Sequence, residues 1–153
     1  MANQSLKETP KTQSNPQTQV QGQNQQPKQK TVKLIIKRQD NSESKPYEES
    51  FEIPYKENLN VIACLMEIRR NPVNSKGEKT TPVTWDMNCL EEVCGACSMV
   101  INGRARQSCS AIVDQLEQPI RLEPMSTFPV IRDLQVDRSR MFDNLKQIGR
   151  AHV

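Results

Sequence analysis

The sequence predicts an α+β domain, a small mixed sheet with one helix packed across it. Three observations predict it. Apolar residues alternate over Thr31–Arg38 and again near residue 51. They then recur with helical spacing between residues 59 and 70, and a tight-hairpin signal follows at Asn102-Gly103. The order strand, strand, helix, strands closes most simply as one sheet with a single covering helix.

The chain has 153 residues, net charge +3, 35% apolar residues and 4% aromatics. That is room for one domain, and the low apolar content predicts that part of it does not fold. Residues 1–30 carry net +3, residues 31–125 net −2 and residues 126–153 net +2. The middle is mildly acidic, so the charge gives no argument for nucleic acid as a partner. No apolar run is long enough to cross a membrane as a helix.

Residues 1–30 hold nine Gln and three Pro. Such a stretch buries too little apolar surface to offset its ordering entropy, so it reads as a disordered tail. It has no apolar core of a secretory signal, and no arginine before Arg38, which argues against a transit peptide.

In Thr31–Arg38, Val32, Leu34 and Ile36 share one face with Lys33 and Lys37 opposite, a strand pattern. Asp40–Lys45 is polar and reads as a loop. Phe51, Ile53 and Tyr55 alternate with Glu52 and Lys56, and Pro54 assigns this second strand to an edge or a strand end. Asn58 is the expected N-cap of a helix over Leu59–Arg70. Arg69 and Arg70 suit its C-terminus, and Asn71-Pro72 ends it. Residues 74–81 are a polar loop, and Val83–Asp86 reads as extended. Ser98–Ile101 and Arg104–Gln107, joined by Asn102-Gly103, form the hairpin. Ile120–Glu123 is expected as the last short strand. The folded unit is thereby expected over residues 31–125.

Four of the five cysteines cluster. Cys89, Cys94, Cys97 and Cys109 give C-x4-C-x2-C-x11-C, and the hairpin folds Cys109 back towards the other three. Gly95 and Ala96 are small enough for backbone to approach a bound group closely. Four soft thiolates select zinc or an iron–sulfur cluster. Disulfides are disfavoured without a secretory signal. Four-cysteine zinc sites use closely spaced ligand pairs, which Cys97 and Cys109 are not. The C-x4-C-x2-C opening is the plant-type [2Fe–2S] spacing. Two ferric ions, two sulfides and four thiolates sum to −2, and one electron makes −3. That charge calls for backbone N–H groups aimed at the sulfurs. Glu91 and Glu92 lie in the same loop and are expected to face water, where screening weakens them.

The run CLEEVCGACSMVINGRARQSC resembles two families of iron–sulfur electron carriers. One is the iron–sulfur subunit of succinate dehydrogenase and fumarate reductase. The other is the small subunit of molybdenum hydroxylases. The flanks NVIACLMEIRRNPV, PVTWDMNC and QPIRLEPMSTFPVIRDLQVDRSRMFDNLK resemble the first, in its Gram-positive, Bacillus-like branch. The resemblance covers roughly residues 31–147. It implies a β-grasp, plant-ferredoxin-like fold with one [2Fe–2S] cluster on Cys89, Cys94, Cys97 and Cys109.

The resemblance also implies a role and partners. The chain would relay electrons from the FAD of a flavoprotein subunit towards menaquinone in a cytochrome b membrane anchor. It would sit peripherally on the cytoplasmic face of the membrane. The whole complex is an oxidoreductase, and this chain has no substrate-converting residue of its own. The family's [4Fe–4S] and [3Fe–4S] clusters belong to a second, helical domain with C-x2-C-x2-C-x3-C-P motifs, which this sequence does not contain. Residues 126–147 are expected to be a linker and the opening of that domain. Residues 148–153, IGRAHV, match the translation of a sequencing adapter (ATC GGA AGA GCA CAC GTC), so an artefactual ending is expected and His152 is assigned no role. The alternatives are a stand-alone ferredoxin, a molybdenum-hydroxylase subunit, or, from another class, a zinc-stabilised interaction module.

Among the remaining residues, Cys64 reads as a small buried helix residue. Trp85 reads as core, with cover for one side of the cluster the sharper idea. Arg104 and Arg106 read as a solvated face.

Overall fold

The computed structural model describes residues 30–150, and side chains as far as residue 148. The expectations for the first twenty-nine residues and for residues 151–153 fall outside that range. Five strands form one sheet: β1 (Thr31–Arg38), β2 (Tyr47–Pro54), β3 (Ser98–Ile101), β4 (Arg104–Gln107) and β5 (Ile120–Glu123). Their order across the sheet is β2-β1-β5-β3-β4. β1 runs antiparallel to β2 and parallel to β5, while β3 is antiparallel to both β4 and β5. Helix α1 (Val61–Arg70) covers one face. This is the expected α+β, β-grasp arrangement.

β1 buries Val32, Leu34, Ile36 and Arg38, the alternate residues of a strand with one face inward. β5 adds Ile120 and Leu122 beside them, and β3 adds Met99 and Ile101. α1 lays Val61, Ile62, Cys64, Leu65 and Ile68 on that surface, the i, i+3, i+4, i+7 stripe of an amphipathic helix. Trp85 joins the same core, with the Arg69 guanidinium 5.7 Å above its ring.

Several elements differ from expectation. β2 starts at Tyr47 rather than near Phe51, and pairs with β1 along its whole length. Its outer half exposes Tyr47, Glu48 and Ser50 and half-exposes Glu49, so it carries no alternating apolar signal, as suits an edge strand. The helix cap is Asn60, not Asn58. Asn60 has extended backbone and its side chain accepts from Ala63 N–H at 3.0 Å. Asn58 instead takes a left-handed turn conformation, φ 58°, before the cap. Val83–Asp86 joins no ladder; Thr84 is held by Asp133 Oδ2 (2.9 Å) and gives its carbonyl to Leu134 N–H (3.1 Å).

β5 is not the last strand. β6 (Val130–Arg132) and β7 (Gln135–Val136) form a small second hairpin. Leu134 and Asp133 at its turn are buried, so the segment expected as a linker is packed onto the sheet domain. Helix α2 (Ser139–Arg150) follows, and exposes Met141, Phe142, Leu145 and Ile148.

Candidate metal centre

The loop between Trp85 and β3 carries three of the cysteines. Leu90, Glu92 and Gly95 all have positive φ, at 62°, 61° and 70°. Left-handed residues set between ordinary ones fold successive backbone N–H groups towards one concave side, an anion-binding arrangement. Only Gly95 adopts that conformation freely; Leu90 and Glu92 store strain there.

Those N–H groups point at sulfur. Cys89 Sγ accepts from Glu91 N–H at 3.4 Å and from Cys94 N–H at 3.3 Å, and Cys94 Sγ accepts from Ala96 N–H at 3.4 Å. The Glu91, Cys94 and Val93 amides lower the Cys89 thiol to about 7. Burial pushes the Cys97 thiol up, but hydrogen bonds from Cys109 and Ser108 bring it below its ordinary value. Burial and the neighbouring Cys97 thiolate raise Cys109, although the Glu92 amide opposes this.

The hairpin delivers the fourth cysteine. Ser98 faces Gln107 across β3 and β4, and Ser108 N–H donates to Cys97 O at 3.2 Å. Cys97 and Cys109 therefore flank the open end of one hairpin, and both are buried. Cys94 is exposed and Cys89 partly so. Asn60 ties the site to α1: its Nδ2 donates to Cys109 O at 2.8 Å while its Oδ1 caps the helix.

The backbone brings the cysteines together two by two: Cys94 N–H donates to Cys89 Sγ at 3.3 Å, and Ser108 N–H, donating to Cys97 O, sets Cys109 next to Cys97. Among the described residues, no three Cys, His, Asp or Glu side chains gather closely enough to hold a single metal ion. Two cysteine pairs ringed by N–H donors suit a cluster in which each iron takes two thiolates and the sulfurs carry excess negative charge.

The family model described as a 2Fe-2S iron-sulfur cluster binding domain matches residues 33–143. The chain belongs to this 2Fe-2S cluster-binding domain family. The match runs past residue 125 and takes in β6, β7 and the start of α2. Over 120 residues the chain is 78% identical to the succinate dehydrogenase iron-sulfur subunit of Bacillus subtilis (strain 168), covering 78% of this chain and 47% of that protein. It is 34% identical over 107 residues to the fumarate reductase iron-sulfur subunit of Mycobacterium tuberculosis, covering 69% and 40%. Among solved structures it resembles a chain of the Mycobacterium smegmatis Sdh1 complex in the apo form. There the TM-score is 0.62 at 26% identity, covering 76% of this chain and 46% of that one. The chain thus spans less than half the length of these relatives.

Within this 2Fe-2S domain the other sequence readings sort clearly. Glu91 and Glu92 are exposed, as expected, and so are Arg104 and Arg106. Cys64 is fully buried in α1, and burial pushes its thiol up to about 12. Three contributors were not legible in the motif. Asn60 has the same residue type as Asn58 two positions earlier, and residue type alone does not separate them as caps. Gln107 bridges the hairpin to the loop, its Nε2 donating to Glu92 O at 3.5 Å. Arg138, 29 residues after the last cysteine, reaches back to the carbonyls of the same loop. No spacing rule marks it.

Proposed function

We propose that Cys89, Cys94, Cys97 and Cys109 hold a [2Fe–2S] cluster and that the chain is the electron-relaying part of a succinate dehydrogenase or fumarate reductase iron–sulfur subunit. The arrangement that carries this reading is a loop whose amides converge on the Cys89 and Cys94 sulfurs, next to a hairpin that sets Cys109 beside Cys97. The 78% identity to the Bacillus subtilis subunit carries the choice of enzyme. When bound, such a cluster supplies one-electron transfer and makes or breaks no substrate bond.

The chain's own residues set the conditions. The buried pair Cys97 and Cys109 anchors the site to the sheet, while Cys89 and Cys94 bring its other half to the surface. Leu90 and Val93, in the same loop as Cys94, are exposed, Val93 at 80%. An apolar rim at a solvent-facing thiol is a surface that a protein partner covers. The FAD-bearing flavoprotein subunit is the donor this reading places there. Electrons then leave towards menaquinone through a cytochrome b membrane anchor. No helix among the described residues is long and apolar enough to cross a membrane. On this reading, attachment to the cytoplasmic face of the membrane comes through the complex.

Purified full chain tests the reading. Reddish-brown protein with two irons and two acid-labile sulfides per chain, giving a paramagnetic signal on one-electron reduction, is the expected result. Colourless folded protein with one zinc per chain overturns it. Co-purification with a FAD protein that oxidises succinate tests the enzyme assignment separately; a molybdenum cofactor in the partner overturns that part alone.

A further inference from the structure

Arg138 lies between β7 and α2, far along the chain from the cysteines, yet its guanidinium closes on their loop. Nη1 donates to Gly95 O at 3.0 Å, and Nη2 donates to Ala96 O at 2.9 Å and to Ser98 O at 3.4 Å. Gly95 and Ala96 are the two residues between Cys94 and Cys97, and Ser98 is the next after Cys97.

The peptide plane makes this contact consequential. Gly95 C=O and Ala96 N–H belong to one rigid unit. Arg138 holds the oxygen end, and the N–H end donates to Cys94 Sγ at 3.4 Å. Fixing one end aims the other. A charged donor on the carbonyl also polarises the peptide, which strengthens its N–H as a donor to sulfur.

The charge of Arg138 is not matched by a carboxylate. None of the ion pairs among the described residues includes it, and its Nε is buried without a hydrogen-bond partner. The adjacent Asp137 is engaged elsewhere, its Oδ1 accepting from Ser139 N–H at 2.8 Å. The backbone that presents Arg138 is itself tied down. Gln135 Nε2 donates to Asp86 Oδ1 at 2.8 Å, and Asp137 N–H to Pro129 O at 2.8 Å.

We propose that Arg138 is a positioning residue for the cluster: it orients the Gly95–Ala96 peptide and, as an uncompensated positive charge, favours the reduced state. The proposal rests on the four-cysteine [2Fe–2S] reading above. Reduction adds one electron and no proton, taking the cluster with its thiolates from −2 to −3. A nearby cation therefore stabilises the reduced form more than the oxidised one.

The test is a potentiometric titration of the full chain, followed by electron paramagnetic resonance, for wild type, Arg138→Gln, Arg138→Lys and Arg140→Gln. Arg140 is exposed two residues further on, in the first turn of α2, and its substitution removes the same charge without a contact to the loop. Arg138→Gln is expected to lower the one-electron reduction constant roughly tenfold, about 59 mV more negative, with an altered line shape. Arg138→Lys keeps the charge and recovers most of that potential. It does not recover the hydrogen-exchange protection of the Ala96 amide, because an ammonium lacks the planar fork. Arg140→Gln leaves potential and line shape at wild-type values.

An Arg138→Gln potential equal to wild type overturns the proposal, as does an equal shift in Arg140→Gln. If Arg138→Gln assembles no cluster while Arg138→Lys does, the positioning role stands. If both lose it together with their circular dichroism, Arg138 is a residue of the fold and the proposal fails. Wild-type protein without iron and sulfide fails the cluster reading instead, and the two failures are distinguishable.

Discussion

Arg38 and Asp133, 95 residues apart in sequence, form a fully buried ion pair, Nε to Oδ1 at 2.8 Å. The pair fastens the turn between β6 and β7 to the end of β1. Glu49 and the hydroxyl and carbonyl of Thr81 take the remaining guanidinium donors. Asp133 also accepts from Gln39 N–H at 3.2 Å and Thr84 N–H at 2.9 Å. Burial opposes the charge on Arg38, but the Asp133 hydrogen bond and the two carboxylates hold its pKa above the ordinary guanidinium value.

Removing one member of such a pair leaves the other charged and under-matched in the interior, at a cost of about 3–5 kcal/mol. Because Glu49 remains, Asp133→Ala is expected near the lower end. Asp133→Asn keeps an acceptor and tolerates the left-handed backbone at this position, φ 48°, so it costs less. Urea unfolding followed by the single, buried Trp85 measures both. Equal midpoints for Asp133→Ala and wild type contradict the argument.

How far the sequence reveals this fold depends on what each residue contributes locally. β1 and the Asn102-Gly103 hairpin are legible because alternation and turn chemistry are short-range signals; Asn102 and Gly103 do take positive φ, 47° and 78°. The cysteine motif is legible because thiolate spacing is chemistry. β6 and β7 are not legible. They are only three and two residues long, and their stabilising contact is a charge pair with a partner 95 residues away. Arg138 escapes for the same reason: its role lies in backbone carbonyls, which carry no residue-type signature.

Asn60 joins α1 to the metal centre, so two substitutions separate its two duties. Asn60→Ala loses the cap and the Cys109 contact, and is expected to cost about 1 kcal/mol of stability. Asn60→Asp retains a good cap at a helix N-terminus. It cannot donate to Cys109 O, and it sets a carboxylate against that carbonyl. Stability is therefore near wild type, while a chelator bleaches the cluster faster. Bleaching rate and urea midpoint, measured together, check this. Parallel changes in both would show the duties to be inseparable.

Gly95→Ala isolates the cost of backbone conformation. An added Cβ would meet only Ser98 Oγ, at 3.9 Å, an ordinary contact. The penalty therefore comes from φ +70° alone, about 1–2 kcal/mol. The chain remains folded, and reconstitution with iron and sulfide slows, because the strained loop samples its binding geometry less often. Far-UV circular dichroism and the rate of colour formation separate these outcomes. A wild-type assembly rate would mean that the loop does not need this conformation before binding.

The five cysteines divide by burial and partner, and alkylation can read the division. Burial among α1 core residues pushes the Cys64 thiol up to about 12, by favouring its neutral form. At pH 8 only about one molecule in ten thousand carries that thiolate. In folded protein Cys64 is expected to resist iodoacetamide, and to react once denaturant exposes it. As pH rises the protection weakens, since the thiolate forms more readily, but burial still blocks the reagent. Cys64→Ala removes one small buried group and is expected to cost about 1–2 kcal/mol while keeping the cluster. Cys109→Ala, at the buried end of the hairpin, is expected to lose the cluster from protein that is still folded. Iron content and circular dichroism of the two variants decide it: a colourless Cys64→Ala or a fully loaded Cys109→Ala reverses the assignment.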